Sequence, residues 1–157
     1  MNPAQRMLIE HECRKLMVAY ARCLDRGDAE GFANLYTEDA MYKPAINPEP
    51  IYGRQAILQW AYAYPKGRLT CHISTNEFVE VVDETHATGS AYCVTFREPI
   101  PRPDAVSDAV TPRAVVEYFD TFLRTDEGWR FASRYYQMRF MQPSETNRPL
   151  PWNPAMA

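Results

Sequence analysis

The feature that most constrains this chain is a series of four long β-rich segments in its second half. They are rich in Val, Thr, Tyr and Phe, the residue types that favour extended backbone. Short polar turns or a Pro-rich link separate them. They span residues 69–82, 85–97, 113–124 and 129–140. This arrangement predicts one strongly twisted, mostly antiparallel sheet.

The first part of the chain predicts helices. Apolar residues recur with a 3.6-residue period over residues 5–24, which predicts a long amphipathic helix that Gly27 ends. Asp28 can cap a short second helix that reaches Tyr36. A similar apolar spacing predicts a third helix from Arg54 that ends before Pro65.

Two Pro-rich stretches and a tail interrupt these elements. Between residues 40 and 52, three prolines allow an edge strand at best. The link over residues 98–112 is too long for a hairpin turn, which is typical of a lid or of a contact with a neighbouring subunit. We expect residues 1–140 to form a single domain and residues 141–157 a Pro-rich C-terminal tail.

Three N-terminal helices followed by such a sheet predict an α+β fold. The helices would cover one face of the sheet. A strongly curved sheet around a long helix encloses a cone-shaped cavity, and a ligand would bind there.

Charge and residue usage narrow the function classes. The net charge of −3 over 157 residues argues against nucleic acid or an anionic membrane surface as a partner. We expect a cytoplasmic protein, because there is no secretion signal and no apolar run of about 20 residues. The four cysteines form no Cys-x-x-Cys pair, and the three histidines match no metal-ligand spacing. The sequence therefore predicts neither a metal nor a cofactor.

Tyr20 and Asp25, at the end of the first helix, are candidates for chemistry. Five residues apart, they would point about 140° from each other if the helix continued. They converge only if the helix ends near Leu24 and the chain then turns. The alternative is that Tyr20 is a core residue and Asp25 a turn residue beside Gly27.

His72 is the histidine best placed for catalysis. Strand alternation puts His72, Ser74 and Asn76 on one face, and this polar row lines either a cavity or the solvent. A solvent-facing or structurally hydrogen-bonded histidine is the alternative. His11 and His86 are predicted to be surface groups.

Two arginines of the last segment have two interpretations. Alternation puts Arg130 and Arg134 on one face, together with Tyr136. One arginine could pair with Asp120 or Glu117. It could instead bind a carboxylate or phenolate of a substrate.

Several short motifs together resemble the SnoaL-like family, which shares the cone-shaped α+β barrel of nuclear transport factor two. The resemblance extends from about Ile9 to Phe140. It rests on the order and spacing of Tyr20-Ala21-Arg22-Cys23-Leu24-Asp25, Leu35-Tyr36-x-Glu38-Asp39-Ala40, Tyr52-Gly53-Arg54-x-Ala56-Ile57, Cys71-His72-Ile73-Ser74-Thr75-Asn76, and Tyr118-Phe119-Asp120 followed by Gly128-Trp129-Arg130-Phe131 and Arg134.

The pattern is most similar to the branch with scytalone dehydratase, bile-acid dehydratase and hexachlorocyclohexane dehydrochlorinase. That resemblance implies an Asp25–His72 catalytic pair, with Tyr20 as the phenol found five residues before the Asp in bile-acid dehydratases. Unlike scytalone dehydratase, this chain has no second strand histidine and carries Tyr92 instead. The substrate-binding residues expected around the pair are Tyr42, Tyr92, Trp60, Asn76 and Arg134.

These residue types predict a cofactor-independent enzyme that acts on a small apolar cyclic or polyketide-like molecule. The enzyme would be either a lyase of the dehydratase type or an isomerase. His72 would be the general base, Asp25 its orienting partner and Tyr20 the donor. Two other classes stay open: a non-catalytic protein that binds a small hydrophobic molecule, and the β subunit of an aromatic-ring-hydroxylating dioxygenase. The resemblance also implies a homo-oligomer, a trimer or a dimer.

Overall fold

The computed structural model describes residues 1–44, 47–65, 67–98 and 106–142. Its elements, in chain order, are α1 (Pro3–Arg26), α2 (Ala29–Ala33), β1 (Tyr36–Lys43), β2 (Ile51–Tyr52), α3 (Arg54–Ala63), β3 (Leu69–Val81), β4 (His86–Glu98), β5 (Ala114–Thr125) and β6 (Gly128–Met141). No helix in these ranges is both long enough and apolar enough to span a bilayer. The tail from residue 143 and most of the link predicted as a lid or subunit contact lie outside the described residues.

Local capping sets both ends of α1. The Asn2 side chain accepts a hydrogen bond from the Gln5 backbone N–H, and the Gln5 side chain accepts one from the Asn2 N–H. At the other end, Gly27 has a φ of 66° and donates its N–H to carbonyls of the last turn. The helix therefore runs through Asp25 and ends at Arg26, just before the predicted stop at Gly27 and two residues beyond the periodic stretch 5–24.

The sheet has six strands in the order β2-β1-β6-β5-β4-β3. All neighbouring pairs are antiparallel except β1 and β6, which are parallel. The helices pack on one face of the sheet, with α1 chiefly against β3. The predicted α+β class is confirmed, but the sheet is curved and open rather than a closed barrel.

Two predictions near the start of the sheet were wrong. The second helix ends at Ala33 instead of Tyr36, and β1 lies inside the sheet instead of at its edge. The cause is tertiary, because Phe131 on β6 donates its N–H to the Leu35 carbonyl at 2.8 Å and begins the parallel pairing there. In the chain, β1 and β2 come between α2 and α3, so the three helices are not consecutive as predicted.

A β-bulge overturned the predicted faces of β6. Phe122 pairs with Phe131 but Thr121 pairs with Ser133, so Ala132 is an extra residue that reverses the alternation. Arg134 consequently faces the core together with Phe131, and Arg130 does not share its face.

Candidate functional site

Asp25 and His72 form a hydrogen-bonded pair between the last turn of α1 and the start of β3. Asp25 Oδ1 lies 2.6 Å from His72 Nδ1, and Asp25 Oδ2 accepts the backbone N–H of His72 at 3.0 Å. One carboxylate thus holds both the ring and the backbone of the same residue. The His72 side chain is only 8% exposed, so the pair is largely removed from water.

This geometry selects one tautomer of His72. An ionised carboxylate only accepts hydrogen bonds, so Nδ1 carries the hydrogen and Nε2 keeps its lone pair. The Asp25 carboxylate also stabilises the imidazolium that would form when Nε2 takes a proton. These are the properties of a general base with an orienting partner.

Asp25 is held in its charged form. Partial burial alone would raise the pKa of Asp25, but the hydrogen bonds from the His72 ring and backbone outweigh it and hold the pKa below its ordinary value. The carboxylate is therefore ionised at neutral pH.

Tyr20 bonds to Tyr42 rather than to the pair. The two phenol oxygens lie 3.0 Å apart, and both rings are buried. Burial raises the pKa of Tyr20 to about 12, although the Arg134 charge and the Tyr42 hydrogen bond oppose this. Tyr20 therefore stays protonated at neutral pH and can donate. Its predicted role as donor stays a prediction.

An aromatic cluster surrounds these phenols. The Tyr42 ring packs edge-on against Trp60 with centroids 5.0 Å apart, and Trp60 also contacts Phe32 and Tyr64. The Tyr20 ring contacts Phe32 and Tyr118. Tyr42 and Trp60 thus lie in the same cluster as Tyr20, between the helices and the sheet.

Arg134 lies under the same cluster as a buried ion pair with Asp120. Its Nε and Nη2 each donate to an Asp120 oxygen at 2.7 Å, with side chains 1% and 0% exposed. The guanidinium carbon also lies 4.2 Å from the Tyr20 ring centroid. Of the two interpretations of Arg134, the ion pair with Asp120 is present. Substrate contact by Arg134 stays a prediction.

The third guanidinium nitrogen of Arg134, Nη1, does not take part in the ion pair with Asp120. Nη1 is buried and has no hydrogen-bond partner among the described residues, and the same holds for the Tyr36 hydroxyl. Sequence reasoning assigned Tyr36 to a helix end and missed it as a member of the cluster.

Cys93 was also missed. It lies on β4 and is 1% exposed. Burial is the main cause of its raised pKa, so the thiol stays neutral. The small or apolar residues Ala87 and Ala91 stand at even spacing before it, and that signal marks the inward face of β4.

Tyr92 and Asn76, two predicted substrate-binding residues, lie outside the cluster. Tyr92 is 38% exposed and falls between buried Ala91 and Cys93, so it occupies the outer face of the sheet. Asn76 is exposed, with a φ of 54°, where the β3–β4 register shifts. This irregularity removes Asn76 from the row that holds His72 and Ser74, and it corrects the expectation that all three share one face.

No group of three or more metal-ligating side chains occurs in the part of the chain that the structure describes. Helices packed on one face of a curved, mostly antiparallel sheet, with an Asp–His pair between them, define a protein of the nuclear transport factor two fold class.

A family model described as "SnoaL-like domain" matches residues 5–135. The chain belongs to the SnoaL-like domain family. A search of curated proteins found no match.

Solved structures agree with this fold. A candidate scytalone dehydratase from Novosphingobium aromaticivorans is 22% identical, with a TM-score of 0.77 over 96% of this chain and 97% of that chain. A variant of a protein of unknown function from Mycobacterium tuberculosis is 25% identical, with a TM-score of 0.72 over 95% and 82%. A type 2 hexachlorocyclohexane dehydrochlorinase is 16% identical, with a TM-score of 0.74 over 96% and 98%.

Proposed function

We propose that this protein is a lyase of the dehydratase type, or an isomerase, that acts on a small and largely apolar cyclic molecule by acid–base catalysis. The observation that carries the proposal is the Asp25–His72 pair, whose carboxylate accepts one hydrogen bond from the imidazole and one from the backbone N–H of His72. The chemistry uses only side chains of this chain and requires no cofactor.

In the proposed step, His72 Nε2 removes a proton from a carbon made acidic by a neighbouring carbonyl group. The electron pair of the broken C–H bond then forms a double bond, and a hydroxyl group on the adjacent carbon leaves as water after taking up the proton from the His72 imidazolium. In an isomerase, the imidazolium would instead return its proton to a different carbon of the same molecule.

The Tyr20–Tyr42 pair supports either outcome. Tyr20 is protonated at neutral pH, so it can donate a hydrogen bond to the leaving hydroxyl or to the developing enolate oxygen. The half-buried Trp60 and the buried rings beside it offer an apolar surface to the rest of the ligand. The homo-oligomeric state and the cytoplasmic location of the protein stay predictions.

Turnover by active-site variants tests the proposal. Hydroxylated cyclic carbonyl compounds are first screened against the wild type, with elimination followed by ultraviolet absorbance. We expect His72→Ala and Asp25→Asn to lower kcat by roughly 10²–10⁴-fold, the usual contribution of general acid–base catalysis. Ligand affinity, measured separately by calorimetry, should change little.

The matched control is the second His–Asp pair of the chain. His86 Nδ1 lies 3.1 Å from Asp83, but both side chains are more than half exposed. His86→Ala removes the same chemical group and should leave turnover unchanged. If His72→Ala keeps full turnover, the proposed base is wrong. If the wild type binds screened compounds but converts none of them, a protein that only binds its ligand becomes the better interpretation.

A further inference from the structure

Two buried donors in the aromatic cluster lack acceptors. Arg134 Nη1 and the Tyr36 hydroxyl are each buried without a hydrogen-bond partner among the described residues, and both residues as a whole are 0% exposed. A buried donor without an acceptor destabilises a protein by about as much as a lost hydrogen bond. Such groups in a folded chain call for an explanation.

The two donors lie on neighbouring strands and against the same ring. The Tyr36 ring centroid is 5.3 Å from that of Phe131, and the Arg134 guanidinium carbon is 4.2 Å from it. β1 and β6 pair here in parallel, with Tyr36 opposite Phe131. The two unpartnered donors therefore belong to the same corner of the cluster, where β1 pairs with β6.

The charge of the corner determines what kind of acceptor fits. Asp120 already takes the N–H groups of Nε and Nη2, so the Arg134–Asp120 pair has no net charge. The neighbouring rings of Tyr20, Tyr118 and Phe131 stabilise the cation through their faces, and neither phenol oxygen accepts a hydrogen bond from Nη1. An anionic ligand would add an uncompensated charge at a fully buried position, which is costly. A neutral carbonyl oxygen accepts both hydrogen bonds without that cost.

We propose that Tyr36 and Arg134 Nη1 form a subsite for a neutral carbonyl oxygen, and that Tyr36 determines specificity for cyclic ketones over carboxylates. The inference rests on the proposed function, because the same aromatic cluster would hold the substrate. It narrows the substrate class to molecules that carry an uncharged carbonyl group at the end bound by Tyr36.

Three probes with one carbon skeleton test the subsite. They are 1-indanone, indane and indane-1-carboxylate, titrated by calorimetry into the full-length wild type, Tyr36→Phe and Tyr52→Phe. Tyr52 is 68% exposed, so Tyr52→Phe removes the same hydroxyl group away from the cluster. The wild type should bind the ketone at least about fivefold more tightly than indane, within the range of one or two net hydrogen bonds. The carboxylate should bind more weakly than the ketone.

Tyr36→Phe should lose several-fold of this ketone preference and keep its affinity for indane, whereas Tyr52→Phe should match the wild type. A wild type without preference for the ketone, an unchanged preference in Tyr36→Phe, or tighter binding of the carboxylate would each overturn the proposal.

Thermal unfolding without ligand gives a second, independent test. Because the Tyr36 hydroxyl has no partner to lose, Tyr36→Phe should not lower the Tm, whereas Tyr42→Phe loses the bond to Tyr20 and should lower it. A clear fall in Tm for Tyr36→Phe would show that the hydroxyl is already satisfied, and would overturn the subsite. None of these measurements depends on turnover, so they separate this proposal from the role of His72.

Discussion

Removing the Asp120 charge should be among the most damaging polar substitutions in this chain. Asp120→Asn keeps the shape of the side chain but leaves the Arg134 guanidinium uncompensated at a site that is 1% exposed. Breaking one partner of a buried ion pair costs about 3–5 kcal/mol. That is a large part of the roughly 5–15 kcal/mol that stabilises a typical domain. Urea denaturation followed by near-ultraviolet circular dichroism measures the loss.

The neighbouring ion pair provides the control. Glu117 and Arg139 also join β5 to β6, but the Arg139 side chain is 43% exposed. The Glu117 side chain is 16% exposed, so this pair is only partly buried, and Glu117→Gln should cost about 1 kcal/mol or less. Both carboxylates lie on β5 and both pair with an arginine of β6. The two substitutions therefore differ mainly in how deeply the ion pair is buried.

A double-mutant cycle completes the test. In the Asp120→Asn/Arg134→Met variant neither charge remains, so its loss of stability should be smaller than the sum of the single losses by about 0.5–3 kcal/mol. The reasoning is refuted if Asp120→Asn costs no more than Glu117→Gln, or if the two single losses simply add.

Two further predictions concern Asp25 and Gly89. The pKa of Asp25 is lower in the folded chain than in the unfolded chain, so its contribution to stability is full above the unfolded pKa of about 3.9 and is lost as the pH falls through the folded value. The difference in free energy of unfolding between the wild type and Asp25→Asn should therefore shrink between neutral pH and about pH 3, and a constant difference would contradict a lowered pKa of Asp25 in the folded chain. A Cβ at Gly89 would lie 2.6 Å from the Met17 side chain and 3.1 Å from the Phe78 carbonyl, so Gly89→Ala should destabilise the chain by about 1–3 kcal/mol in urea titrations. An unchanged midpoint would mean that α1 moves away from β4 freely.

The sequence was sufficient for elements whose boundaries are set locally. Gly27 ends α1 through its own backbone conformation, and the prediction of that stop needed no tertiary information. The four long strands of β3 to β6 were also found, because their composition and alternation extend over 12 to 14 residues each.

Boundaries set by distant partners could not be predicted in this way. β1 begins at Tyr36 because β6 pairs with it there, and nothing within residues 28–36 encodes that contact. The bulge at Ala132 could not be predicted either. Its extra residue places Arg134 on the same face of β6 as Phe131, where strict alternation would place them on opposite faces. A strict period of two predicts side-chain faces only as far as the first irregularity.

The most informative difference concerns the first helix. The spacing of Tyr20 and Asp25 suggested that they meet only if the helix ends early and the chain turns, yet the helix continues through Asp25. The two side chains therefore point about 140° away from each other around the helix axis. Tyr20 bonds to Tyr42, and Asp25 bonds to His72. A ligand that used both groups would therefore have to contact them at two different points of its skeleton.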